Sequence, residues 1–197
     1  LEYLSGETRL FPIIGDPIIY VRSPQRLTSG FAARGHNGIC VPMQVAGPDL
    51  DAVMGGLNRT PNVDGLLITM PHKFTAFSHC ATSSETARLL GGVSVMRRNK
   101  DGTWHGGMLD GLAFVKAQID AGAQPKDARV LLVGVGAAGQ ALAQPIVGLK
   151  TGARADIVTL ASMRAARLRA EDVAQVGAHR RQVFGGMVQA VGFRVDG

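Results

Sequence analysis

The chain has 197 residues, 46% of them hydrophobic and 18% charged, which excludes a disordered protein and allows one large or two small domains. The formal net charge of +6 favours an anionic partner. Because the arginines are scattered and only 5% of the residues are aromatic, we expect no nucleic-acid-binding module, although the charge leaves one formally open. A phosphorylated cofactor or a carboxylate substrate explains the charge at least as well.

The cysteines and the hydropathy indicate where the protein acts. Cys40 and Cys80 are far apart and lack metal-ligand spacing, so we expect buried thiols in a reducing compartment. No apolar run approaches the length of a membrane span, and the N-terminus shows no signal pattern. The sequence therefore predicts a cytoplasmic protein without membrane contact.

The first part of the chain alternates between strand and helix patterns. Apolar residues 10–14 predict a buried strand that ends at the turn Gly15-Asp16-Pro17. Ser23-Pro24 predicts the N-cap and first position of a helix, which ends at residues 35–38. Residues 39–43 predict a second strand. A second helix then starts at residues 48–50 and places apolar side chains on one face: Leu50, Val53, Met54 and Leu57.

A second group of patterns runs from residue 64 to Gly122. Residues 64–71 predict a third strand, apolar throughout and so covered on both faces. A helix over 84–90, capped by Ser83 or Ser84, precedes two short strands joined at Asp101-Gly102, a hairpin signal. A further helix runs from Asp110 to near Gly122. This alternation predicts a mainly parallel α/β sheet, in which ligands bind at the carboxyl ends of the strands.

A glycine-rich turn follows the next predicted strand, residues 130–133. Gly134, Gly136 and Gly139 form Gly-x-Gly-x-x-Gly between this strand and an Ala/Leu-rich helical pattern, which is typical of dinucleotide binding. Ala137 and Ala138 lie in the same turn, where the helix N-terminus faces the pyrophosphate. The alternative is an ordinary strand-to-helix turn.

The rest of the chain bears on the identity of the cofactor. Residues 156–160 predict a second strand, and no acidic residue follows it to bind a ribose hydroxyl; Arg164 favours a 2′-phosphate, hence NADP, with NAD as the alternative. Residues 165–197 are too few for the remaining units of a complete doubly wound domain. Either segments are missing between Arg164 and Gly185, or the domain is truncated and its cofactor binding is in doubt.

Two residues are candidates for acid–base chemistry. Lys73 lies just past the end of the third predicted strand, after His72, where apolar walls would let it exchange a proton with a substrate hydroxyl near neutral pH. The alternative is a solvated surface lysine, and Asp110 could be no more than a helix N-cap.

His72 and His105 lack metal-ligand partners at useful spacing, so we expect surface or loop histidines and no metal. Trp104 is expected to be a partly buried anchor.

Four motifs in order resemble the shikimate/quinate dehydrogenase family. They are residues 15–24, similar to Gly-x-Pro-x-x-His-Ser-x-Ser-Pro; 65–73, similar to Gly-x-Asn-Val-Thr-x-Pro-x-Lys; 90–94, similar to Gly-Ala-Val-Asn; and 107–111, similar to Gly-x-Asn-Thr-Asp-Gly. The turn at 134–139 falls where the family has its cofactor loop. The resemblance implies an N-terminal mixed or parallel-sheet substrate domain, residues 1–119, and a Rossmann-type NAD(P)-binding domain, residues 120–197. The last helix would lie in the second domain or pack back on the first.

The resemblance also implies an activity and a site. The activity is the NADP-dependent interconversion of shikimate, or a related cyclic hydroxy-carboxylate, and its 3-dehydro form. Lys73 would exchange the proton of the reacting hydroxyl, and Asp110 would orient the same region. Ser23, Thr69 and Ser94, together with Gln189 of a late segment that resembles Gly-x-x-Met-Leu-x-x-Gln, would contact the substrate.

Departures from the family pattern put the substrate in doubt. Val21, Leu67, Met108 and Leu109 are apolar where the family has polar residues, and Ser94 replaces an asparagine. A site that loses hydrogen-bond partners changes its discrimination, so the preferred substrate is expected to differ from shikimate. Tyr20 replaces a family histidine and is expected to serve packing. A quinate dehydrogenase and a non-catalytic dinucleotide-binding protein of the same fold are the alternatives, and a homodimer is left open.

Overall fold

The computed structural model describes residues 4–122 and, beyond them, the backbone of strands at 129–133, 154–158, 183–184, 187–188 and 191–194. The chain divides into two compact units, Leu1–Met108 and Leu109–Gly197. None of the described helices combines the length and apolar character that crossing a bilayer needs.

The first unit is built on a six-stranded sheet in the order β2-β1-β3-β5-β6-β4. Its strands are β1 (Arg9–Gly15), β2 (Gly38–Gln44), β3 (Gly65–Ile68), β4 (Cys80–Ser83), β5 (Val95–Arg98) and β6 (Trp104–Gly107). β1 pairs parallel with β2 and β3, and β4 pairs parallel with β6. β5 pairs antiparallel with β3 and β6. Three of the five strand pairs are thus parallel and the sheet is mixed; its antiparallel member is β5, whose short connection to β6 permits only antiparallel pairing.

The β5–β6 hairpin confirms the turn predicted at Asp101-Gly102. Gly102 has a φ of +84°, in the region that favours glycine, and its N–H donates to the Asn99 carbonyl at 3.0 Å. Arg98 and Trp104 are opposite each other in the ladder. Trp104 is almost fully buried, rather than partly buried as expected, and the Arg98 guanidinium lies 4.3 Å from the centroid of its ring.

The described part of the first unit also contains three α-helices: α1 (Ser23–Ala32), α2 (Leu50–Asn58) and α3 (Glu85–Leu90). The Ser84 hydroxyl accepts the Ala87 N–H at 3.1 Å, which confirms the predicted cap of α3. The cap of α1 is Arg22 rather than Ser23, one residue earlier than predicted. Leu50 and Met54 of α2 are buried on one face, as the periodicity predicted.

Two short elements between β3 and α3 escaped sequence prediction. Thr75–His79 forms a 3-10 helix, and β4 follows it directly. β4 is only four residues long and half-buried to exposed, so its composition carries little of the apolar signal that identifies a strand. Its pairing with β6 is what makes it a strand.

The second unit contains α4 (Asp110–Asp120) and strands β7 (Arg129–Val133), β8 (Arg154–Val158), β9 (Val183–Phe184), β10 (Met187–Val188) and β11 (Val191–Arg194). β7 confirms the strand predicted at 130–133, and β8 overlaps the one predicted at 156–160. β7 and β8 pair in parallel, whereas β11 pairs antiparallel with the other side of β7. The turn at 134–139, Arg164 and Gln189 lie outside the described residues.

Candidate active site

Most of the motif residues lie at one end of the strands of the first sheet, referred to below as the carboxyl edge. β1, β2 and β3 are parallel, so their carboxyl ends lie together, and β6 ends at this edge where β5 begins. Backbone hydrogen bonds tie the segments beyond the strands: Asp16 N–H donates to the Met70 carbonyl at 2.9 Å, and Ile68 N–H donates to that of Ser94 at 2.9 Å. Ligands of α/β sheets bind at such an edge.

Gly15 lets the β1 and β3 ends approach each other closely. A β-carbon at Gly15 would collide with the methyl group of Thr69 and lie 3.0 Å from the Met70 carbonyl oxygen. The Thr69 N–H donates to the Ile14 carbonyl at 2.9 Å, so the backbone of this substrate-site candidate is fixed against β1. The glycine that opens the first motif therefore positions the threonine of the second.

Lys73 is buried, with 7% of its surface exposed. The alternative of a solvated surface lysine is therefore wrong, because the chain after β3 turns inward instead of into solvent. The Val93 N–H donates to the Lys73 carbonyl at 2.9 Å and ties this segment to the one before β5. Ser94 is also 7% exposed, and its N–H donates to the Gly107 carbonyl at 2.8 Å.

His72 is the most buried ionisable side chain at this edge, with 2% of its surface exposed. His72 lies in the turn after β3, as expected of a loop histidine, but it is not on the surface. The ring Nε2 lies 2.7 Å from the Val45 carbonyl oxygen, just beyond β2, and this partner compensates the burial of a polar ring. Sequence reasoning missed it because Val45 belongs to a distant segment.

The segment between β1 and α1 holds the first motif. Ser23 and Val21 are half-buried, and a groove of about 620 Å³ lies beside them. It is lined by Ile18, Ile19, Val21, Arg22, Pro24, Gln25, Arg26 and Pro42. Tyr20 is 63% exposed, so the expected packing role is wrong: the loop turns its ring towards solvent.

The apolar replacements occupy different environments. Leu67 is half-buried on β3 and pairs with Val95, and Met108, just beyond β6, is buried. Leu109, in the second unit, is exposed. Asp110 is the half-buried first residue of α4, with Leu109 at the cap position, so the N-cap alternative for Asp110 is one residue off.

The cysteines are poor nucleophiles in this environment. Burial raises the pKa of Cys40 and of Cys80 to about 11, which keeps both thiols protonated at neutral pH. Cys40 is buried as predicted, whereas Cys80 is only half-buried. Within the described part of the chain, no three His, Cys, Asp or Glu side chains group in a way that could hold a metal ion.

Most residues at the carboxyl edge belong to a segment that matches a known domain. Residues 13–96, from β1 into β5, match the shikimate dehydrogenase substrate binding domain. The chain belongs to the shikimate dehydrogenase family. Lys73, Thr69, Ser23 and Ser94 all lie inside the matched range, and Asp110 lies beyond it.

Relatives within the shikimate dehydrogenase family extend the similarity past this domain. The chain is 33% identical over 151 residues to shikimate dehydrogenase (NADP(+)) of Anaeromyxobacter sp. (strain K), covering 77% of this chain and 53% of the relative. It is 36% identical over 140 residues to that of Rubrobacter xylanophilus, covering 71% and 49%. The chain thus spans about half the length of these relatives.

A solved structure of the same family shows the same fold. Shikimate dehydrogenase from Aquifex aeolicus superposes with a TM-score of 0.73 at 21% sequence identity, covering 88% of this chain and 62% of that one. Shikimate dehydrogenases have a substrate-binding domain followed by a Rossmann-type domain, and this chain has the same α/β fold class.

Proposed function

We propose that this protein is an NADP-dependent oxidoreductase of the shikimate dehydrogenase type, which interconverts shikimate, or a related cyclic hydroxy-carboxylate, and its 3-dehydro form. The relatives are named for this reaction and this cofactor. The observation that carries the proposal is Lys73, a buried lysine at the carboxyl edge of the sheet inside the matched domain. Cytoplasmic location and a homodimer belong to the same proposal.

Proton transfer is the task of the chain's own residues. Lys73 accepts the proton of the reacting hydroxyl during oxidation and returns it during reduction, which is worth about 10²–10⁴-fold in rate for a positioned acid–base group. Asp110 hydrogen-bonds to the same region of the substrate and orients it. Thr69, Ser23, Ser94 and Gln189 hold the substrate's polar groups, so that the hydroxyl stays within reach of Lys73.

The described backbone fits a dinucleotide. β7 ends at Val133, immediately before Gly134, and pairs parallel with β8, as the first strand–helix–strand unit of a dinucleotide-binding fold requires. Gly134, Gly136, Ala137, Ala138 and Gly139 would hold the pyrophosphate, and Arg164 the 2′-phosphate. The bound nucleotide supplies the ring that exchanges a hydride. The boundary between the two domains, near residue 119, belongs to this proposal.

The substrate is expected to differ from shikimate in detail. Val21, Leu67 and the buried Met108 offer no hydrogen bond where the family pattern has polar groups. A ring with fewer hydroxyl groups than shikimate would leave fewer polar groups unpaired. A non-catalytic dinucleotide-binding protein of the same fold is the second candidate, since Val21, Leu67 and Met108 replace polar residues of the family pattern.

The test is a substrate panel with Lys73→Ala. Shikimate, quinate and simpler hydroxy-carboxylates are assayed with NADP and NAD by absorbance of the reduced nicotinamide. We expect Lys73→Ala to lower kcat by about 10²–10⁴-fold and to retain NADP binding. Lys100→Ala, which removes an exposed lysine of the same unit, is the control.

Each outcome has one meaning. A wild-type chain that binds NADP but oxidises no member of the panel would favour the non-catalytic protein. Equal kcat for Lys73→Ala and wild type would remove Lys73 from the chemistry. A kcat/KM for shikimate as high as that of a specific dehydrogenase would reject the altered substrate.

A further inference from the structure

We propose that His72 is a positioning residue for Lys73, acting through its hydrogen bond to the Val45 carbonyl oxygen. This inference rests on the proposed function, because it takes Lys73 to be the proton-transfer group. The reaction itself assigns no task to His72, although it is the neighbour of Lys73 in the chain and lies deeper in the protein.

The hydrogen bond from His72 to Val45 connects the segments at the ends of β1, β2 and β3. The Val45 N–H donates to the Gly15 carbonyl at 3.1 Å, at the end of β1, and the Val45 carbonyl lies 2.7 Å from His72 Nε2, beyond the end of β3. Val45 itself follows β2 directly. The segment that carries Lys73 is thereby tied to both of the other parallel strands.

The bond has a defined direction. A carbonyl oxygen only accepts hydrogen bonds, so His72 Nε2 must carry the proton and donate it. His72 is 2% exposed and Val45 is 5% exposed, so no bulk water can replace the donor. Loss of the donor would leave the Val45 carbonyl buried without this partner, and the segment would shift to satisfy it.

A shift of this segment would be passed on to Lys73. The His72 N–H donates to the Thr69 carbonyl at 3.0 Å, and the His72 carbonyl accepts the Ala76 N–H at 2.8 Å, so the backbone around the histidine moves as one piece. Lys73 is joined to this piece by a single peptide bond. A misplacement of about 1 Å can cost about 100-fold in rate when a reacting group must be oriented.

The experiment compares two substitutions that differ in the hydrogen-bond donor. His72→Gln places an amide N–H close to the position of Nε2, whereas His72→Met keeps an apolar volume and removes the donor. His79→Asn is the control, because His79 ends the 3-10 helix that follows Lys73 and its ring bonds to Asp51 at 2.9 Å instead. All are made in the full chain.

Two measurements separate positioning from folding. The first is kcat and KM for the best substrate of the panel with NADP. The second is the rate at which formaldehyde and cyanoborohydride methylate Lys73, followed by mass spectrometry with Lys100 and Lys116 as internal references. We expect His72→Met to lower kcat by about tenfold or more, with KM changed less than about threefold, and to raise the methylation rate of Lys73 by about tenfold. His72→Gln and His79→Asn should stay within about threefold of wild type in kcat and in methylation.

The methylation rate tests the proposal even if the chain proves inactive, so failure of the proposed function stays distinguishable. Equal behaviour of His72→Met and His72→Gln would overturn the proposal, since packing alone would then suffice. Failure of His72→Met to fold while His72→Gln folds would assign the bond to the stability of the fold and would also overturn it.

Discussion

Gly15 shows how one residue without a side chain shapes the candidate site. The end of β1 passes so close to Thr69 and Met70 that a β-carbon has no room there. The backbone of Thr69 is held against the same strand, since its N–H donates to the Ile14 carbonyl. Any added volume at Gly15 must therefore displace the segment that leads to His72 and Lys73.

We predict that Gly15→Ala destabilises the protein by about 1–3 kcal/mol, as overpacking of a tight site does, and weakens substrate binding. The free energy of unfolding in urea and the substrate KM measure the two effects. Gly55→Ala is the matched control: a β-carbon at Gly55 in α2 meets nothing within 4 Å, and alanine is the better helix former, so a gain of about 0.5–1 kcal/mol is expected. A Gly15→Ala protein as stable as wild type would contradict the close approach.

Arg98 connects two elements of the first unit. Its guanidinium donates to the carbonyls of Leu57 and Asn58, in the last turn of α2, and to three more carbonyls: Thr60, Val63 and Gly102. The last carbonyls of a helix have no partner within it, and a cation there interacts favourably with the helix dipole. Arg98 thus attaches the C-terminus of α2 to β5, under the ring of Trp104.

We predict that Arg98→Met lowers the free energy of unfolding by about 2–3 kcal/mol, because several carbonyls lose a charged donor together. Arg98→Lys should recover only part, since an ammonium lacks the planar fork of five N–H groups. Arg97→Met is the control, because Arg97 is exposed and its side chain donates to Asn99 at 3.2 Å as its one hydrogen bond among the described residues; it should change stability by less than about 0.5 kcal/mol. Chemical denaturation of the three variants measures these differences, and equal effects at the two positions would disprove the cap.

At the scale of the whole sheet, an ion pair closes the edge opposite the candidate site. Arg9 Nε, at the start of β1, donates to Asp64 Oδ2 at 2.8 Å, just before β3. The hydrogen bonds and charge of Arg9 lower the pKa of the Asp64 carboxyl against the opposing effect of burial. Both side chains are 35% exposed, so solvent screens the pair and its contribution to stability is modest.

The sign of the pH dependence follows from the lowered pKa of Asp64. The folded state favours the carboxylate, so the stabilisation is complete well above the unfolded pKa of about 3.9 and disappears as the pH falls through the lower folded pKa. We predict that Asp64→Asn is less stable than wild type at neutral pH and that the difference shrinks below about pH 5. Urea denaturation between neutral and acidic pH measures it. Glu7→Gln, an exposed carboxyl with no side-chain partner in the described part of the chain, is the control, and a difference independent of pH would contradict the ion pair.

The two units differ in how closely their described structure agrees with the fold of the family. The matched domain, residues 13–96, contains the strand ends and most of the substrate-site candidates, with their contacts described. In the second unit, the parallel β7–β8 pair agrees with the predicted cofactor fold, and the antiparallel β11 departs from the all-parallel sheet of the classical one. The roles of Gly134, Arg164 and Gln189 remain predictions.

The sequence by itself determined the order and type of most elements, because strand and helix periodicity, caps and turn residues act over a few neighbouring positions. The strand at β1, the cap at Ser84 and the hairpin at Gly102 are of this kind. The motif spacing determined the family in the same way, since it depends only on the order of residues along the chain.

Only the tertiary structure decided which polar residues of those motifs are buried. His72 meets Val45, 27 residues away, and the backbone of Lys73 meets Val93. Both partners are valines, and the groups that make the contacts are the Val45 carbonyl and the Val93 N–H, which are backbone groups common to nearly all residues. No local pattern encodes such a contact, so the burial of His72 and Lys73 followed from how β1, β2 and β3 end side by side.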